Sequence, residues 1–182
     1  MSEMWGRLPA CGGLLARLAL ATTFLAAALS AADAPRRAPS FALPDSQSHY
    51  HDILDYRGKP LIIEIMSTRC EHCQELAVTL EKVAAHYGNK ISILSVVLPP
   101  DNQQTVGGFI RKYNVTHPVL FDCSQMTASY FNATPDNPHI DVPHLFFVDS
   151  NGMIQDDFMW AAPPEGKPAD FEINAVIDRL LK

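Results

Sequence analysis

The chain has 182 residues, 47% of them apolar and 19% charged, and a formal net charge of −6. That is length for one domain with short extensions, enough to bury a single core without staples, and the low charge excludes a disordered chain. An acidic chain with no Lys/Arg cluster argues against a nucleic-acid or anionic-membrane surface, and four cysteines are too few for a disulfide scaffold.

Residues 1–30 read as a signal peptide. Arg7 and Arg17 give a mildly positive start, Leu18 to Leu29 is a twelve-residue apolar run, and small residues follow it. Ala28-Leu29-Ser30 and Ser30-Ala31-Ala32 both fit as cleavage triplets. The run is short of the ~20 residues that span a bilayer. The competing reading is an uncleaved anchor, because the chain stays apolar to Ala32. Leu8-Pro9-Ala10-Cys11 has the look of a lipoprotein box but precedes the apolar run instead of following it. Removal of residues 1–30 takes away Arg7, Arg17 and Glu3, leaving 12 basic residues against 19 acidic ones. Export implies a periplasmic or secreted protein in an oxidising compartment, with membrane attachment only if the segment is uncleaved.

Residues 31–40, which include Arg36-Arg37, read as a linker, and residues 41–182 as the folded domain. Phe41 to Leu43 is a short strand, closed by a turn at Pro44-Asp45-Ser46. Leu61 to Met66, LIIEIM, is a near-continuous apolar run of the kind a buried central strand requires, interrupted by Glu64. Glu71 to Tyr87 carries Leu76, Ala77, Leu80, Val83, Ala84 and Tyr87 on one helical face, with Glu71 and Glu75 at its positive end and Gly88 as its stop. Ile91 to Leu98 is a second buried strand, ended by Pro99-Pro100. Gln103 to Tyr113 is a helix weakened by Gly107-Gly108. Val119 to Phe121 is a strand, Gln125 to Phe131 a short helix, and Leu145 to Val148 a strand that turns at Ser150-Asn151-Gly152 into Met153 to Trp160. Asp170 to Leu181 closes the chain as a helix. Alternating strands and helices imply an α/β domain, and the late hairpin makes its sheet mixed.

Cys70-Glu71-His72-Cys73 falls between the buried strand and the amphipathic helix. Free N–H groups at a helix start, together with the helix dipole, stabilise a thiolate, which makes Cys70 the candidate nucleophile. Cys73, one turn on, is placed to close a disulfide with it. A CxxC alone also serves as half of a zinc site, but a second ligand pair of similar spacing is missing from the sequence.

These segments resemble the thioredoxin-like superfamily, specifically the exported TlpA/ResA-type thiol-disulfide oxidoreductases of the AhpC/TSA–redoxin group. The resemblance rests on Phe41-Ala42-Leu43-Pro44-Asp45, on Tyr56-Arg57-Gly58-Lys59-Pro60, on the strand before Cys70-Glu71-His72-Cys73, and on Val142-Pro143 followed by Leu145-Phe146-Phe147-Val148-Asp149-Ser150-Asn151-Gly152. It implies a central mixed sheet flanked by helices, an N-terminal β extension, and a helix–strand insertion at Gln103 to Phe121. It also implies that Pro143 is cis and packs on the cysteine pair, with Val142 and His144 beside the substrate groove. His144 has the plainer reading of a structural histidine within a strand. The resemblance implies substrates among exported thiol or disulfide proteins and a redox partner that recycles the pair. No cofactor or metal is expected.

The chain departs from the family around its cysteines. Arg69 stands where relatives carry Trp, and a cation there favours the Cys70 thiolate. His72 is similar to strongly oxidising DsbA-type sites, whereas Glu71 is similar to reducing ResA-type sites. Glu64 lies six residues before Cys70, where thioredoxins carry a buried acid. Desolvation would raise its pKa and suit it to relay the Cys73 proton; the competing reading is a carboxylate paired with a cation or reaching solvent. Cys123 reads as a buried packing thiol, with a resolving or redox-sensing role as the competing reading, and Trp160 as core or rim.

Two other functions fit the chain less well. A peroxiredoxin-type antioxidant peroxidase would place proline and threonine at set positions before Cys70; Thr68 and Arg69 match that pattern in part. A copper- or zinc-binding module would use Cys70 and Cys73 with His72 or His144.

Overall fold

The computed structural model describes residues 35–182; the segment expected as a signal peptide or anchor, Cys11 and the start of the expected linker lie outside the described residues. Among the described residues no helix is long and apolar enough to cross a membrane. Eight strands and four α-helices follow in chain order: β1 (Arg36–Arg37), β2 (Ala42–Pro44), β3 (Tyr50–Asp52), β4 (Leu61–Met66), α1 (Glu71–Tyr87), β5 (Ser92–Val97), α2 (Gln103–Tyr113), β6 (Val119–Phe121), α3 (Gln125–Tyr130), β7 (His144–Val148), β8 (Met153–Met159) and α4 (Phe171–Leu180). A 3-10 turn at Ile53–Tyr56 links β3 towards β4.

Six strands form one mixed sheet in the order β1-β8-β7-β4-β5-β6, and β2 and β3 form a separate hairpin. The central strand, β4, runs parallel to β5 and antiparallel to β7. With a partner on either side and helices over its faces, it must be apolar along its whole length. All six of its residues are buried, Glu64 included.

Alternation along the strands splits the core into two sides. Ile63, Ile65, Leu94, Val96, Phe146 and Val148 pack on one side with Tyr130 of α3. Ile62, Ile93, Leu145 and Phe147 pack on the other against Leu76, Leu80 and Val83 of α1 and Ile173 and Ile177 of α4. Met66 and Val97 extend this second side beneath Cys73, Val106 and Phe109.

The expected α/β architecture is present, with a correction at its N-terminal edge. Residues expected as a linker enter the sheet: Arg36 and Arg37 pair with Ile154 and Met153 of β8, and Ala38 is buried. The arginine pair hid this strand, because two residues leave no alternating apolar pattern. Arg36 Nη2 reaches the Tyr130 carbonyl oxygen at 2.5 Å, which holds the edge onto α3. The Gly107-Gly108 weakness in α2 is offset by its first turn. Asn102 accepts from the Gln104 and Thr105 N–H groups while the Thr105 hydroxyl accepts from the Asn102 N–H, a reciprocal cap worth about 1 kcal/mol. Gly152 takes φ +85° in the β7–β8 turn, a conformation that side-chain-bearing residues rarely adopt.

Candidate active site

Cys70 is the N-cap of α1, and its Sγ accepts the Cys73 N–H at 3.3 Å. That donor, at the positive end of the helix, stabilises charge developing on the sulfur. Cys70 is partly exposed and Cys73 fully buried, and both are free thiols. Burial pushes the Cys73 thiol far up, and the contact with Cys70 and the charge of Glu64 push the same way. The outer sulfur is therefore the accessible one, and the inner sulfur is held as a thiol.

The loop before Cys70 is fixed by Asp101, a residue that the sequence reading did not single out. Its carboxylate accepts from the Thr68 N–H at 2.9 Å, the Ser67 hydroxyl at 3.1 Å, the Thr105 hydroxyl at 2.9 Å and the Thr68 hydroxyl. Burial alone would raise the Asp101 pKa, but these four bonds outweigh it and hold the carboxyl below its ordinary value. Gln74 adds a bond to the Thr68 carbonyl at 3.0 Å and is itself held by the Tyr113 hydroxyl at 2.6 Å. No periodicity marks Asp101; its role depends on the turn after Pro99-Pro100 returning beside Ser67.

The Val142–Pro143 bond is cis, Pro143 is buried, and Val142 borders both the Cys73 cluster and the opposite core. The Cys70 thiol donates to the Val142 carbonyl at 3.8 Å, and Trp160 N–H donates to the Pro143 carbonyl at 3.0 Å. Trp160 is core, which decides between its two readings.

Glu64 is fully buried. Its pKa is raised to about 7 by desolvation, against the lowering effects of a Ser95 hydrogen bond and the His117 charge. The Ser95 hydroxyl bonds Glu64 Oε2 at 2.5 Å and also meets His117 Nε2 at 2.8 Å. Ser95 breaks the apolar run of β5 just as Glu64 breaks that of β4, and the two are register partners. A polar residue in each of two buried strands was the available signal for this pair.

The remaining expected residues separate. Arg69, Glu71 and His72 are exposed, and His72 Nδ1 lies 3.5 Å from Glu75 Oε2. His144 pairs with Ile65, on the side of the sheet away from Glu64. Its ring packs edge-on against Phe131 and its Nε2 meets Asp157 at 3.2 Å. The structural reading of His144 replaces the groove reading, because strand alternation turns it away from the cysteines. Cys123 is exposed, a correction to its expected burial: it follows the buried Asp122, whose carboxylate caps the start of α3 through the Met126 and Thr127 N–H groups. His139 and Asp141 are exposed and hydrogen-bond each other at 2.7 Å. Among the described residues no group of three or more His, Cys, Asp or Glu is assembled as a metal site.

A CxxC capping a helix, backed by a buried acid and faced by an X-Pro loop on this sheet, has the geometry for thiol-disulfide exchange. A family model described as the AhpC/TSA family matches residues 35–157, and the chain belongs to that family. The thioredoxin-like protein YneN of Bacillus subtilis is 25% identical over 123 residues, 66% of this chain and 68% of its own. Thiol-disulfide oxidoreductase ResA of Geobacillus kaustophilus is 27% identical over 119 residues, covering 65% of this chain and 64% of ResA. The chain thus spans a little under two thirds of that relative's length. In fold, it resembles a thiol:disulfide interchange protein of the thioredoxin family from Chlorobium tepidum, with a TM-score of 0.68 over 82% of this chain and 99% of the other, at 14% identity.

Proposed function

We propose that Cys70 and Cys73 exchange disulfides with exported proteins, in the periplasm or outside the cell, and that the pair works as a reductant. The observation that carries the reading is the contrast between the two sulfurs: one is accessible with a backbone donor aimed at it, the other buried and held protonated. Cys70 attacks a substrate disulfide and one substrate sulfur leaves. Cys73 then attacks Cys70 of the mixed disulfide, the Cys70–Cys73 bond forms, and the second substrate sulfur departs with the electron pair. A separate dithiol protein must reduce the pair again.

The reducing direction is supported by the surroundings of Cys70. An oxidant needs its thiolate strongly stabilised. The candidate cations nearest in sequence, Arg69 and His72, are both exposed, and the His72 side chain, 64% exposed, is directed to Glu75. The export reading rests on residues 1–30 of the sequence. The peroxidase reading loses support because both the hydroxyl and the N–H of Thr68 are committed to Asp101.

Equilibration with glutathione or dithiothreitol buffers, read by thiol alkylation, gives the potential. A value near about −270 mV fits a reductant, and one near about −120 mV would make the protein an oxidant. An intact pair that exchanges with no protein disulfide would overturn the reading altogether.

A further inference from the structure

The Glu64–Ser95 bond continues outward. Ser95 Oγ meets His117 Nε2 at 2.8 Å, and His117 Nδ1 meets Glu81 Oε1 at 3.0 Å. Glu81 also accepts the Thr116 N–H and hydroxyl, each at 2.8 Å. The His117 side chain is 7% exposed and that of Glu81 19%, so the row starts in the core and ends at water. Glu64 Oε1, at its inner end, is buried with no hydrogen-bond partner. We propose that Glu64, Ser95, His117 and Glu81 form a proton path between Cys73 and solvent, with His117 carrying the proton and Glu81 positioning it. This deepens the disulfide-exchange reading and rests on it.

The donor and acceptor chemistry supports two complete arrangements of the row. Burial alone would raise the Glu81 pKa, but bonds from His117 and Thr116 outweigh it, so the group stays a carboxylate. A carboxylate only accepts, which fixes a proton on Nδ1 and leaves Nε2 to face Ser95. With His117 neutral, Nε2 accepts from the Ser95 hydroxyl, whose oxygen accepts from a protonated Glu64. With His117 as imidazolium, Nε2–H donates to Ser95, and Ser95 donates to an ionised Glu64. The heavy atoms serve both, and the arrangements differ only by the shift of one proton along the row.

Cys73 and Glu81 lie eight residues apart on α1, about two turns, and so on one side of the helix. Around the row, α1 contributes Cys73 and Glu81 and the loop after α2 contributes His117. The register partner of Glu64 on β7 is Leu145, which does not titrate, and His144 is on the opposite side of the sheet.

During resolution the Cys73 proton passes to Glu64 as its sulfur bonds to Cys70. The imidazolium loses one proton to water, which restores the neutral arrangement with Nδ1 protonated, and the substrate sulfur leaves with the electron pair. One proton leaves the cysteine and one enters solvent. Reduction of the pair runs the path inward.

The test uses single-turnover stopped flow on the full chain with a model disulfide, in dilute buffer between about pH 5.5 and 9. His117→Gln and Ser95→Ala should slow resolution at least about tenfold, with attack by Cys70 affected less, and added imidazole should restore the His117→Gln rate. Unchanged resolution, or slowing that imidazole does not relieve, overturns the path. A second measurement requires no turnover and no variant. The 15N shifts of the two His117 ring nitrogens should differ between the oxidised and reduced forms of the wild-type protein; identical shifts also overturn it. If the wild type fails to exchange disulfides while the shifts still respond, the functional reading falls and the path stands.

Discussion

Cys70 Sγ lies 3.8 Å from the carbonyl oxygen of Val142, a residue seventy-two positions later. A thiol donates to that oxygen, whereas a thiolate keeps only the Cys73 N–H as a partner here. Ionisation therefore frees Cys70 from the Val142 loop at the moment it becomes a nucleophile. Cys73→Ala should accumulate partner proteins as mixed disulfides through Cys70, seen on non-reducing gels and by mass spectrometry. Trapping by Cys70→Ala instead would reverse the two roles.

Asp101→Ala removes the acceptor from one backbone and three side-chain donors. We expect about 2 kcal/mol of destabilisation by urea unfolding, because the Thr68 N–H loses a charged partner while the hydroxyls can turn to water. Since the Asp101 pKa is lowered, its contribution is present above the unfolded value near 3.8 and is lost as pH falls through the lower folded value. The variant should therefore show a flatter acid limb than wild type. An equally steep limb would mean that other carboxylates dominate acid unfolding.

Glu64 has the opposite sign. Its pKa rises from 4.5 to about 7 on folding, so the native state favours the protonated form. That stabilisation is fully present below about pH 4.5 and is lost as pH rises through about 7, a loss on the order of 3 kcal/mol. Glu64→Gln should remove this slope and be more stable than wild type above neutrality. Parallel stability curves for the two proteins between about pH 4.5 and 8 would show that Glu64 is not desolvated in solution.

His72 and Glu75 are both well exposed, and such pairs contribute little. His72→Ala should shift the potential of the cysteine pair by less than about 30 mV. A much larger fall would show that the imidazolium acts on Cys70 as in oxidising relatives, and would count against the reducing direction.

The sequence was most legible where periodicity was strong. The predicted bounds of α1, α2 and β6 match those observed, because Gly88 ends the first helix and the buried faces repeat clearly. The two-residue β1 and the Tyr50–Asp52 strand carry no such pattern and were not foreseen. Within the site, the motif led to Cys70 and Cys73, and the family resemblance led to Glu64 and Pro143. Asp101 and His117 reach it only through loop returns, which a linear reading does not expose. His144 shows the converse: next to Pro143 in sequence, it is turned to the far side of the sheet by the strand's two-residue repeat.

The short pairing of β1 with β8 ends at Ile154, and beyond it β8 presents Asp156 and Asp157. At the other margin, a bridge from Asp45 to Leu120 crosses β6. Unpaired strand margins invite foreign strands, and charge or cover deters them. Here one margin is part covered and part acidic, and the other is clipped by the β2–β3 hairpin. The cysteine chemistry thus sits at one end of the sheet, while the sides of the sheet resist becoming a template for a foreign strand.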